Sequence, residues 1–134
     1  MILIRFHTGF KEAKSEKILV FKSNDSQEDL KVNAIDLQLI HVTDNNIEVF
    51  YSLNETNQKV LLRNTLKSVI DSIQGVDYLF QCHRSYIVNL RKVTSINGNS
   101  RGYRINFKNH DEDIPVSRSK VGEFNELVSK LTEN

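Results

Sequence analysis

Hydrophobic positions in this chain fall in short compact or alternating runs, separated every few residues by polar turns. Ile18-Leu19-Val20-Phe21 reads as a strand, closed by the turn-rich Ser23-Asn24-Asp25-Ser26. Leu37 to Val42 is an apolar run of strand length. Thr43-Asp44-Asn45-Asn46 follows it, a turn whose side chains can satisfy their own backbone. Ile47, Val49, Tyr51 and Leu53 alternate with Glu48, Phe50 and Ser52, which predicts a strand with one core face. Asn54 to Asn57 turns the chain, and Val60-Leu61-Leu62 returns it as the third strand of a meander.

The period changes between Asn64 and Gln74. Leu66, Val69, Ile70 and Ile73 fall at helical spacing behind a cap at Asn64 or Thr65, with Gly75 where a C-cap glycine belongs. Val93 to Ile96 is again a strand, and Asn97-Gly98 is a hairpin signal, in a loop that Asn99-Ser100 can lengthen. Tyr103, Ile105 and Phe107 alternate with Arg104, Asn106 and Lys108, so the basic side chains share the outer face. Asn109 to Asp113 turns, and Ile114 to Val116 makes a short strand in which Pro115 fits an edge. Val121, Phe124, Val128 and Leu131 form the buried stripe of a C-terminal helix capped by Ser117 or Ser119.

These elements predict a mainly β protein of about eight to ten short strands and two helices, in one domain spanning residues 17–131. Residues 1–16 carry no readable periodicity and are expected to be a linker or disordered lead-in; residues 132–134 are a C-terminal tail. There is no solenoid repeat and no low-complexity tract. Neither helical segment looks like a recognition helix, since both carry acids (Asp71; Glu123, Glu126).

One stretch departs from every simple pattern. Phe80-Gln81-Cys82-His83-Arg84-Ser85-Tyr86-Ile87-Val88-Asn89-Leu90 sets a polar cluster directly against an apolar half. A surface strand would alternate, and a core strand would not carry His-Arg-Ser in its middle. The chain must leave a core strand, present a few polar side chains at an edge and return. His and Arg supply donors and Ser a short hydroxyl, a set suited to phosphate and base-edge contact.

Charge changes the picture only when it is read by position. The net charge is +1, with 39% hydrophobic and 26% charged residues, as in an ordinary globular protein. From Tyr78 to His110, however, there are six Lys or Arg and no Asp or Glu, whereas Glu12 to Val60 holds nine acids and five Lys or Arg. Such asymmetry can place a basic face on a nearly neutral protein. No apolar run approaches the ~20 residues of a membrane span. The single cysteine, Cys82, excludes an internal disulfide and fits a reducing cytoplasm.

Arg118 ends a short strand and starts a helix, beside the hydroxyl of Ser117 and the free N–H groups of the helix start, an arrangement that suits phosphate. Its guanidinium can also fork onto guanine, or instead pair with Glu112 or Asp113. Lys92, Arg101, Arg104 and Lys108 are candidate phosphate contacts or simply solvated charges. Cys82 and His83 cannot meet as a nucleophile and base, because neighbours in a strand point apart. Cys82, His83 and His41 lack metal-ligand spacing. No enzyme, metal or cofactor is expected.

The His83-Arg84-Ser85-Tyr86-Ile87-Val88-Asn89-Leu90 run closely resembles a signature of the LytTR family of bacterial DNA-binding domains, and Ile114-Pro115-Val116-Ser117-Arg118 resembles its second one. The two stand in the family's order and at about its spacing, and the resemblance covers about residues 17 to 131. It implies an elongated stack of small antiparallel sheets whose loops read the major groove as the output domain of a transcription regulator. Arg84 takes the place of a base reader, with Ser85 on the backbone; His83 is either a phosphate contact or a buried, hydrogen-bonded histidine. The Thr43–Asn46 turn corresponds to a family loop reaching a second groove position, so Asn45 or Asn46 would read there, and Asn suits adenine. The implied partner is double-stranded promoter DNA carrying paired short repeats, under a sensor or receiver outside this chain. The competing reading is a β-rich signalling module that offers its basic face to an acidic protein.

Overall fold

The computed structural model describes residues 17–25 and 28–132; the expected lead-in, residues 1–16, and all of the tail but Thr132 lie outside them. Among the described residues, ten strands form three antiparallel sheets, stacked as layers. The middle layer holds five strands in the order β5-β4-β3-β7-β6: β3 is Leu37–Val42, β4 Asn46–Leu53, β5 Thr56–Arg63, β6 Leu79–His83 and β7 Tyr86–Asn89. On one face lies the pair β1 (Ile18–Phe21) and β2 (Leu30–Asn33) with helix α1 (Leu66–Ser72). On the other lies the three-stranded sheet β10-β9-β8, from Val93–Asn99 (β8), Gly102–Phe107 (β9) and Ile114–Val116 (β10), with helix α2 (Val121–Thr132).

A middle sheet covered on both faces needs strands that are apolar on both sides, and β3 shows how this is achieved. A register shift between Leu37 and Leu39 turns Leu37, Ile40 and Val42 into the first core and Leu39 into the second. Strand β6 divides likewise, with Leu79 facing the first core and Phe80 and Cys82 the second. A two-stranded sheet is marginal alone. β1–β2 holds because Leu19 and Phe21 are wholly buried against the middle layer, worth about 1.5–3 kcal/mol each.

Strand β2 was not foreseen from the sequence, having only Leu30 and Val32 as apolar residues; its partner strand and the core beneath it supply the rest. Helix α1 is shorter than its periodicity, with Thr65 rather than Asn64 as the cap, accepting from the N–H of Ser68 at 3.3 Å. Asn64 is instead buried, its amide donating to the carbonyl of Lys22 and its Oδ1 accepting from the N–H of Thr65 at 2.7 Å.

Two turns also differ from expectation. The β8–β9 reversal falls at Ser100-Arg101, since Asn99 pairs with Gly102, and Gly98 lies inside the strand. There a side chain would collide with the carbonyl oxygen of Gly102, so the glycine serves close backbone approach rather than the turn. At the start of the C-terminal helix, Ser117 caps a 3₁₀ turn, Arg118–Lys120, but its side chain makes no capping hydrogen bond.

Candidate nucleic-acid interface

Strand directions decide which loops share an end of the molecule. Val42, Asn46, Arg63 and Tyr86 stand at the same end of the middle sheet: Asn46 pairs with Arg63, His41 with Tyr86, and the N–H of Val42 donates to the carbonyl of Ser85 at 2.8 Å. The β3–β4 turn, holding Asn45, and the β6–β7 turn, Arg84-Ser85, therefore project together. From the three-stranded sheet, the N–H of Ser117 donates to the carbonyl of Cys82 at 2.9 Å. That bond brings the start of Arg118–Lys120 beside the Arg84 turn. Val116 pairs with Tyr103, next to Gly102, which brings the Ser100-Arg101 turn to the same end.

Arg84 and Arg118 are exposed, and neither forms an ion pair among the described residues. Neither suggested pairing of Arg118, with Glu112 or with Asp113, forms among the described residues; Asp113 lies 3.6 Å from Arg104 instead. The side chains of Asn45 and Asn46 are exposed, while their carbonyl oxygens hold the turn: Asn46 accepts from Thr43 at 2.9 Å and Asn45 from Asn64 at 3.0 Å. The backbone is thereby used internally and the amide side chains point outward as readers must.

His83 is half-buried, and its Nδ1 accepts the N–H of Ser85 at 3.0 Å. Burial, and then the neighbouring Arg84 cation, hold its pKa below the ordinary imidazole value. Of the remaining candidates, Arg101 is exposed at the turn, its own N–H fixed by Asn99 Oδ1 at 2.9 Å. Arg104 lies mid-strand on the outer face of β9. Lys92 does not join the group: it closes the 3₁₀ turn Leu90–Lys92 after β7, at the opposite end of the sheet, where Lys108 also lies. The acid-free window of the sequence thus splits between two ends, since composition carries no information on strand direction. Arg63 is a cation that sequence reasoning missed; it is exposed opposite Asn46, a place fixed by the β4–β5 register.

Two features do not belong to this surface. Cys82 is buried, its thiol held by the carbonyl of Pro115 at 3.4 Å and its pKa pushed up to about 12 by burial. A cleft of about 430 Å³ opens over β4 and β5, lined by His41, Glu48, Phe50, Tyr86 and the 109–112 loop, with Asp111 and Glu112 at its rim. Its acids make it a poor phosphate site. Among the described residues no three His, Cys, Asp or Glu side chains gather to hold a metal ion, and no helix is long and apolar enough to cross a membrane.

Residues 27–129 match the family of the LytTr DNA-binding domain. The match spans most of the chain, and the chain belongs to the LytTR family, a class defined by DNA binding rather than by a reaction. The fold agrees with the LytTr DNA-binding domain of a Bacillus cereus protein described as a methyl-accepting/DNA response regulator: TM-score 0.60, 20% identity, over 85% of this chain and 98% of that one. A segment of 52 residues is 44% identical to the transcriptional regulatory protein YpdB of Escherichia coli K12, covering 38% of this chain and 21% of that protein. The same protein of Shigella flexneri matches equally.

Proposed function

We propose that this domain reads double-stranded DNA through the loop end of its three-layered stack, as the output module of a cytoplasmic transcription regulator. Arg84 and Arg118 meet base edges, Asn45 and Asn46 a second groove position, and Ser85, Ser117, Arg101 and, on the flank, Arg104 meet phosphates. The observation that carries the reading is the Ser117–Cys82 hydrogen bond, which gathers both signature arginines at one end, exposed and outside any ion pair among the described residues. Lys92, at the far end, is left out of the contact set. The regulatory role is read across from the relatives, of whose length the match spans about a fifth; on this reading a sensor or receiver on another segment or another protein governs the output.

The domain is a monomer when free and occupies paired short repeats side by side on DNA; sedimentation with and without duplex tests this. The decisive experiment is a titration with a selected site and a random duplex at two salt concentrations. Log affinity should fall with log salt by about 0.9 per phosphate neutralised. Flat salt dependence, or binding to acidic protein in preference to duplex, removes the reading.

A further inference from the structure

We propose that His83 is a positioning residue for DNA reading: its neutral imidazole acts as the acceptor that fixes the Arg84-Ser85 turn in the conformation presenting Arg84. The proposal rests on the assignment of Arg84 to a base edge made above.

Besides the pairing of His83 with Tyr86 that closes the hairpin, the turn is anchored at three places. The carbonyl of Cys82, just before it, accepts from Ser117, and the carbonyl of Ser85 accepts from Val42. The third anchor lies inside the turn, where the N–H of Ser85 points at Nδ1 of His83 at 3.0 Å. The first two tie the turn to neighbouring strands; only the third restrains Arg84 from within. Because the Ser85 N–H is a donor, Nδ1 must offer its lone pair and the ring proton must sit on Nε2. In effect His83 performs an Asx turn, for Nδ1 and the Oδ1 of an asparagine each lie one bond beyond Cγ and reach the N–H two residues on.

An imidazolium cannot fill this role, since both of its nitrogens carry protons. The surroundings favour the neutral ring. Arg84 is the adjacent cation, Tyr86 packs against the ring at 5.8 Å between centroids, and Arg118 and Lys120 lie on the segment bound to Cys82. Glu112 acts on Tyr86, whereas the protonation of His83 is opposed by burial and by Arg84.

A direct phosphate contact from His83 predicts the opposite pH behaviour. A phosphate favours the imidazolium, so affinity would rise as pH falls; an acceptor role makes affinity fall. The test measures duplex affinity of the full chain from about pH 8 to about pH 5.5, bracketing the ordinary imidazole value of about 6.5, at constant ionic strength. His83→Asn and His83→Leu are compared with the parent, and the parent-minus-Asn difference removes the contributions of the other histidines.

Parent affinity should fall on acidification relative to His83→Asn. At about pH 8, His83→Leu should lose about tenfold, the worth of one hydrogen bond, and His83→Asn should recover most of that loss. A parent affinity that rises relative to His83→Asn, or a His83→Leu variant that binds like the parent, overturns the proposal. If His83→Leu fails to fold, the sign of the parent-minus-Asn profile still decides. Arg84→Ala serves as the control for the underlying reading. If it binds like the parent, the Arg84 assignment falls and takes the positioning role with it, whereas loss with Arg84→Ala but not with His83→Leu removes the positioning role alone.

Discussion

The N–H of Ser117 and the carbonyl of Cys82, 2.9 Å apart, join the two signature segments of this chain across the packing between two sheets. The contact is backbone to backbone, and the thiol of Cys82 adds a second link to the carbonyl of Pro115 at 3.4 Å. Beneath them Phe80, Val116 and Phe124 belong to one buried cluster. The backbone positions of Arg84 and Arg118 are therefore carried by a single packed unit, so that on the proposed reading their separation is set before DNA binds. Preorganisation of this kind reduces the ordering cost that binding must overcome.

Base readers and phosphate clamps should separate in a mutant series. Arg84→Ala and Arg118→Ala are each expected to cost about 1–3 kcal/mol at a selected site and to relax preference at one base position. Arg101→Ala should weaken all sequences alike and reduce the salt slope by about one. All three side chains are exposed, so the melting temperature should stay nearly constant. Competition titrations against single-base variants of the site make the distinction; an arginine whose loss weakens every sequence equally is a clamp.

The thiol of Cys82 should be inert in the folded domain. Burial raises its pKa to about 12, so almost no thiolate exists near neutrality, and Pro115 and the second core close off access. Labelling by a chromogenic disulfide at about pH 8 should proceed only as fast as the domain opens. Stoichiometric labelling within the mixing time of native protein would show that the β6–β10 contact is not closed in solution.

Asn89 should be a stability residue despite its place in the signature. It is wholly buried, its amide donating to the carbonyl of Leu37 at 2.8 Å and its Oδ1 accepting from the N–H of Arg91 at 2.9 Å. Asn89→Ala strands both groups, which should cost about 2–4 kcal/mol in chemical denaturation. If salt dependence of binding changes while stability does not, Asn89 contacts DNA and this account is wrong.

The fold was legible wherever apolar spacing alone decides. Ile47, Val49 and Tyr51 face the first core and the helical stripe Val121, Phe124, Val128 the second, as expected, whereas Leu53 is exposed at the end of β4 and Phe50, assigned to the polar face, packs against the second core. Features that depend on a partner strand were not legible. β2 exists because β1 and the first core complete it, and Gly98 looked like a turn residue because its collision with Gly102 is visible only across the hairpin. The site shows the same division. The polar His83-Arg84-Ser85 cluster breaks an apolar pattern and so announces a turn. The placement of Lys92 at the far end and of Arg63 opposite Asn46 follows from strand direction and register, which composition does not contain.

The polar cluster on the face of β4 gives the last test, through pH. Glu48 accepts from His41 Nδ1 at 2.8 Å through one oxygen and lies 2.8 Å from Lys59 Nζ through the other, while His41 stacks on Tyr86 at 4.7 Å. The hydrogen bond from Lys59, followed by that from His41, holds the carboxyl below the usual glutamate value of 4.5. A carboxylate whose pKa is depressed on folding stabilises the native state once it is ionised in both states, so its contribution is full above about pH 4.5 and is lost as pH falls through the folded value. Lys59 is largely exposed and its charge screened, so the whole contribution should be about 1 kcal/mol. Glu48→Gln should then be about 1 kcal/mol less stable than the parent near pH 7, and the gap should close as pH drops below about 4.5. Comparing the two proteins at each pH cancels the acid sensitivity of the other carboxylates. A gap that stays constant from neutral to acid pH would mean that Glu48 stabilises by packing alone, and its pairing with His41 and Lys59 would carry no weight.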